Sequence, residues 1–244
     1  MNPTVEPAPA ARIAARVNPW GGASAALAVA LKDWRVEGRA REVLAATLFF
    51  AMLVLVILGF AFGPDPARLR VAGPGILWVA ISFAAILSAG RAYAQEAEDG
   101  ALETLLLYPV AHEWLYLGKL AGNLGLMLVL AAVIAPATAV VYDLPLAGRW
   151  LGYLGVVALG TTGLAIVTTF HSALTVNLRA RESLLPILVF PLVVPVVLGA
   201  VKATTALVGL GPPDDAVSWA NLLVVFNVVY LTVCTLMFPF AVEA

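Results

Sequence analysis

Charge is scarce in this chain. Only 12% of its 244 residues are Asp, Glu, Lys or Arg, against about 25% in a soluble domain. A soluble fold of this size cannot cover its surface with so few charges. Cysteine is nearly absent, since Cys234 stands alone, and that excludes a disulfide-stapled secreted scaffold. Histidine occurs twice, as His112 and His171, too few for a zinc site built on several imidazoles. The net charge of -1 gives no electrostatic support for nucleic-acid binding. What is abundant is apolar: 62% of residues are hydrophobic, which excludes disorder and leaves an integral membrane protein.

A helical span needs about 20 mostly apolar residues. Six runs qualify, at about Val43–Phe62, Pro74–Ala89, Tyr116–Val141, Trp150–Leu174, Leu184–Val201 and Trp219–Phe240. They are continuous rather than alternating, so a transmembrane barrel is excluded. None carries Asp or Glu in its middle, and Lys119 near the start of the third run is expected to snorkel to the interface. The expected organisation is a disordered Ala/Pro-rich tail over residues 1–23, an interfacial helix over 24–42 and a six-helix membrane domain over 43–244. The tail has no apolar core of the signal-peptide kind. No polar segment is long enough for a separate soluble domain.

Six spans place both termini on one side. That side collects Arg12, Arg16, Lys32, Arg35, Arg39, Arg41, Arg91, Lys119, Arg179 and Arg181. The other side holds Arg68, Arg70, Arg149 and Lys202. The positive-inside rule then puts the termini in the cytoplasm.

Three segments are neither span nor tail. In Ser24–Arg41, Leu27, Leu31 and Trp34 share one helical face, with Lys32, Arg35 and Arg39 off it and Ser24 as the expected N-cap. Such a basic amphipathic helix is expected to lie in the interface plane, either as an elbow that positions the first span or as a lipid anchor. In the cytoplasmic loop after span two, the acids Glu96, Glu98 and Asp99 lead through Gly100 into a short helix. Glu103 falls in its first turn, Leu102, Leu105 and Leu106 make one apolar stripe, and Pro109 stops it. The acids alone suit a solvated loop. The leucine stripe needs a cover, which points to docking of a cytoplasmic partner. The third segment, Asn177–Ser183, brings Arg179 and Arg181, either as a second contact to that partner or as interfacial anchors.

Within the membrane, Gly59/Gly63, Gly118/Gly122 and Gly148/Gly152 are small pairs at four-residue spacing, read as close helix packing. Thr161, Thr162, Thr168 and Thr169 are read as bonding back to their own helix. Pro191 and Pro195 are expected to kink span five, with Gly199 and Lys202 ending it and Ala203–Leu210 folding back at the outer face. That arrangement would suit a gate at Pro191, Pro195 and Lys202, or a static bundle. Enzyme motifs are missing. There is no G-x-x-x-x-G-K-[ST] for nucleotide phosphates and no G-x-S-x-G. His112-Glu113-Trp114-Leu115-Tyr116 misses H-E-x-x-H at its second ligand. No catalytic residue and no metal site is assigned.

In order along the chain, Arg41-Glu42, Gly63-Pro-Asp-Pro66, Pro74-Gly-Ile-Leu-Trp-Val-Ala80, Glu98-Asp-Gly-Ala-Leu-Glu103 with Pro109, Tyr116-Leu-Gly-Lys119 and Arg179-Ala-Arg-Glu-Ser-Leu-Leu-Pro186 resemble the haem exporter protein B family (CcmB). The resemblance implies an ABC-2-type, type V exporter-like permease with an elbow helix and a coupling helix, at Glu98–Glu103, in the bacterial inner membrane. It implies a separate P-loop ATPase that binds ATP and Mg. It also implies a second copy of this chain, a haem-handling membrane protein, a small membrane subunit and a periplasmic haem chaperone. Haem b would be the transported ligand, with no intrinsic cofactor. His171 at a span end could meet haem entering from the cytoplasm, or serve packing. The alternative to a permease is a membrane scaffold that anchors an ATPase and assembles a haem-handling complex.

Overall fold

The computed structural model describes residues 19–39, 41–92, 110–175 and 181–242. They form seven helices: α1 Pro19–Arg39, α2 Arg41–Phe62, α3 Pro66–Ala92, α4 His112–Val141, α5 Trp150–Thr175, α6 Arg181–Leu207 and α7 Pro213–Val242. The described residues contain no strand. Six of the helices, α2 to α7, are long and apolar enough to cross a membrane. Consecutive spans run antiparallel, so α2, α4 and α6 run one way and α3, α5 and α7 the other; the end of the bundle where α4 starts is here the near end. The expected tail, residues 1–23, lies outside the described residues through residue 18.

Short connections at the far end are set by local chemistry. After α2, Gly63 takes φ 77° and its N–H bonds the Phe60 carbonyl. Asp65 then caps α3, its Oδ1 accepting from Ala67 N at 3.0 Å, and Pro66 follows at the first helical position, where a missing N–H costs nothing. The cap starts α3 eight residues before the expected Pro74, which instead lies inside the helix. Arg68 and Arg70 in its first turns had placed that stretch outside the apolar run. α4 ends on Asp143 at φ 48°, with Leu144 N bonded to Ala139 O and Asp143 N to Val140 O. This is a Schellman ending, in which glycine is the usual left-handed residue.

α6 corrects a second expectation. Gly199 and Lys202 do not end it; the helix continues to Leu207, so Ala203–Leu207 is not a separate folded-back piece. Gly199 is buried against Leu223 of α7, where its small size serves packing. The stop comes at Gly209, φ 77°, with Leu210 N bonded to Thr205 O and Gly209 N to Ala206 O. Arg149 Nη1 adds a 3.0 Å bond to the Leu207 carbonyl, capping α6 from the α4–α5 connection.

α3 and α5 form the centre, each packing on several other spans, whereas α2 rests mainly on α3 and α4. Trp78 ties the centre together. It is fully buried, its ring lies on Gly160 of α5, and its Nε1 donates to Thr204 Oγ1 of α6 at 3.0 Å. Tyr153 of α5 donates to Ala135 O of α4 at 2.9 Å, and Asn227 of α7 to Leu159 O of α5 at 2.9 Å. Tyr142, just past α4, donates to Leu55 O of α2 at 2.6 Å. Phe49, Phe60, Val225, Val228 and Leu236 on the outer faces of α2 and α7 are exposed, as side chains that meet acyl chains should be.

Candidate functional site

The polar residues inside the bundle gather at its near end, where α1 meets α4 and α4 meets α3 and α5. α1 is built to touch α4 closely. Trp114 lies on Gly22, and Ala26 and Val29 lie on Gly118. Asp33 lies on Gly122 and Trp34 on Gly125. A Cβ at Gly118 would come within 2.7 Å of the Ala26 carbonyl oxygen, and one at Gly122 within 2.9 Å of Asp33 Cβ. The Gly118/Gly122 pair is therefore a packing surface, and its partner is α1. The contacts advance along both helices over several turns. α1 thus runs lengthwise beside the first half of α4, in the same direction, rather than crossing it flat.

This geometry overturns the snorkelling expectation for Lys119. The side chain is 1% exposed and its Nζ lies 3.2 Å from Asp33 Oδ2. Asp33 also receives Lys32 Nζ at 3.2 Å, the latter at the surface. Lys119 stays inside because it has a carboxylate there; an isolated ammonium would be too costly to bury. Nothing in the local sequence advertises the pair, since Asp33 is 86 residues away.

One turn further along α4, Asn123 continues the same face. Its Nδ2 donates to Thr169 Oγ1 of α5 at 2.8 Å, and its Oδ1 accepts from Ser88 Oγ of α3 at 2.8 Å. Ser172 of α5 donates to the Ala89 carbonyl of α3. Tyr116 of α4 donates to Ile166 O of α5 at 3.0 Å and packs on Phe170 and Phe238. The four threonines divide. Thr162 and Thr168 bond back to their own helix, as read from sequence. Thr169 instead serves the interhelical network, and Thr161 has no partner. His171 Nδ1 lies 2.8 Å from Val167 O of its own helix, and its ring meets Phe170 edge-on.

The residues singled out from sequence fall into three groups. Glu96, Glu98, Asp99, Gly100, Leu102, Glu103, Leu105, Leu106 and Arg179 lie outside the described residues. Arg181 opens α6. Leu27, Leu31 and Arg35 are exposed on α1, Trp34 is half-exposed but lies on Gly125 in the seam with α4, and Arg39 ends that helix. Ser24 is not the cap, because α1 starts at Pro19; its hydroxyl bonds Gly21 O. Pro191, Pro195 and Lys202 all lie within α6, with Pro191 and Lys202 exposed and Pro195 half-buried. Sequence reasoning passed over Asp33, Ser88 and Asn123. The signal was present in the spacing of Lys119 and Asn123, one turn apart on a span, which marks a polar stripe that needs partners.

Among the described residues no group of three His, Cys, Asp or Glu could hold a metal, and Cys234 is buried. A bundle of six apolar helices with polar side chains used for interhelical bonds is an all-α membrane permease. The family model described as CcmB protein matches residues 24–244, and the chain belongs to that family. It is 36% identical over 167 residues to heme exporter protein B of Rhodobacter capsulatus, covering 67% of this chain and 75% of that one. With heme exporter protein B of Haemophilus influenzae it shares 30% over 221 residues, 89% of this chain and 95% of the relative. The Escherichia coli K12 protein of the same name is 30% identical over 178 residues, 71% and 79% of the two chains.

Proposed function

We propose that this chain is the permease subunit of an ABC transporter for cytochrome c maturation, serving haem export or haem release to a periplasmic chaperone. A separate P-loop ATPase drives it, and the two ATPase copies such motors use imply two copies of this chain. Haem is the cargo, received with the help of a haem-handling membrane protein and a small membrane subunit. The termini face the cytoplasm, as the distribution of Lys and Arg favours.

The observation that carries this reading is at the near end. α3 and α5 are neighbours there, joined by the bond from Ser172 to the Ala89 carbonyl. The acidic, leucine-striped segment leaves from α3, three residues past that bond. The basic Asn177–Arg181 segment leaves from α5 just as close. Two segments of opposite charge thus depart side by side from the centre of the bundle. A partner bound to both would push on the two helices that most other spans pack against. Such a push shifts the bundle only if the partner's contacts differ between states. The leucine stripe and the acids of residues 96–106 supply a surface for such contacts.

The test is co-purification with the ATPase encoded beside this chain. The wild type is expected to retain the ATPase, and both Leu102/Leu105/Leu106→Ala and Glu98→Lys/Asp99→Lys to lose it. Equal retention by wild type and both variants would refute docking at this segment.

A further inference from the structure

Among the described residues, Lys119 is the one charged side chain in the buried core, and it sits on a membrane span. A buried ion pair is a poor way to add stability, because well-packed apolar residues of similar volume serve as well or better. An ionisable side chain inside a span therefore calls for a functional explanation. The geometry supplies one. Asp33 lies on α1, Lys119 and Asn123 lie one turn apart on one face of α4, and Asn123 holds Ser88 of α3 and Thr169 of α5. Four helices are linked in sequence by polar contacts of 2.8 to 3.2 Å. Along the rest of the α1–α4 seam, Trp114 fills the notch at Gly22, Ala26 and Val29 that at Gly118, and Trp34 that at Gly125. Those notches hold the two helices close by shape. The ion pair adds a directional, charged contact to that fit.

We infer that Asp33 and Lys119 are a positioning pair, which locks α1 to α4 so that movement of α1 is passed through Asn123 to α3 and α5. They are not ligands for the cargo. The inference rests on the proposed role in cytochrome c maturation, but not on where any partner docks.

Three forms of the chain are compared in a strain lacking its own copy: wild type, the apolar pair Asp33→Leu/Lys119→Met, and the exchanged pair Asp33→Lys/Lys119→Asp. Holo-cytochrome c is measured by haem staining and divided by the amount of the chain in the membrane. The apolar pair is expected to reach wild-type abundance, because neither charge is left alone. Its maturation per molecule is expected to fall at least tenfold. The exchanged pair is expected to recover at least a third of wild-type maturation per molecule. An apolar pair that matures cytochrome c as well as wild type would reduce the ion pair to packing and overturn the inference alone. So would an exchanged pair no better than the apolar one, which also decides the matter if the apolar pair is poorly inserted. A wild-type chain that restores no holo-cytochrome c overturns the functional reading and this inference with it.

Discussion

Trp78 gives the sharpest test of how the bundle is held together. In a water-soluble core, Trp→Ala costs about 3–5 kcal/mol, combining lost transfer energy with the cavity left behind. In a bilayer the transfer part shrinks, because lipid tails are as apolar as the core, and a membrane hydrogen bond is worth only about 0.6 kcal/mol. For Trp78→Ala the cavity and the lost bond to Thr204 then leave about 2–3 kcal/mol. The partner residue sharpens the prediction. A Cβ on Gly160 would come within 2.2 Å of Cη2 and 2.6 Å of Cζ3 of Trp78, so Gly160→Ala should cost about 1–3 kcal/mol as an overpacking substitution. Trp78→Phe removes the atoms in the way. In that background Gly160→Ala should be nearly free, giving a coupling of at least about 1 kcal/mol between the two sites. Reversible unfolding in mixed micelles of the wild type, the two single variants and the double variant measures it. Effects that add to within about 0.3–0.5 kcal/mol would show that the ring does not lie on Gly160, and would refute the packing given for α3 and α5.

Three further outcomes are expected. Asp143 holds a left-handed φ of 48° and an exposed ion pair with Arg70, so Asp143→Gly should be near neutral while Asp143→Ala costs about 1 kcal/mol, read as melting temperature in detergent. Burial raises the Tyr142 phenol from 10.0 to about 12, so its neutral form favours the fold and that contribution is lost as pH climbs from 10 towards 12; Tyr142→Phe should destabilise at pH 8 but lose less than wild type over that alkaline range. Asp33→Leu alone takes the carboxylate away from the buried Lys119 and should lower membrane abundance more than Asp33→Leu/Lys119→Met does, as read by immunoblot.

The spans were legible because apolar run length is a local property that the bilayer imposes directly. Their ends were less so, because ends are decided by capping. Asp65 and Pro66 begin α3 well outside the hydrocarbon-length run, and Gly209, not Gly199, ends α6. Gly118 and Gly122 could be read as a close-approach surface, but not that α1 occupies it, since the two partners are nearly a hundred residues apart. The same distance hid Asp33 behind the default behaviour of a lysine near a span end. The threonines show the limit within one helix: Thr168 follows the local rule, while its neighbour Thr169 follows a partner on α4. The proposed docking segment, residues 96–106, lies outside the described residues, so its reading rests on the sequence pattern alone, a leucine stripe expected beside a cluster of acids.

The proposed contact of an ATPase with residues 96–106 can be trapped by a photo-crosslinker. Benzoylphenylalanine in place of Leu105 should, on irradiation in native membranes, give a band containing both this chain and the ATPase. The same group at Val140, exposed near the far end of α4, should give none. A chain that crosslinks the ATPase equally from both positions, or from neither, would contradict the claim.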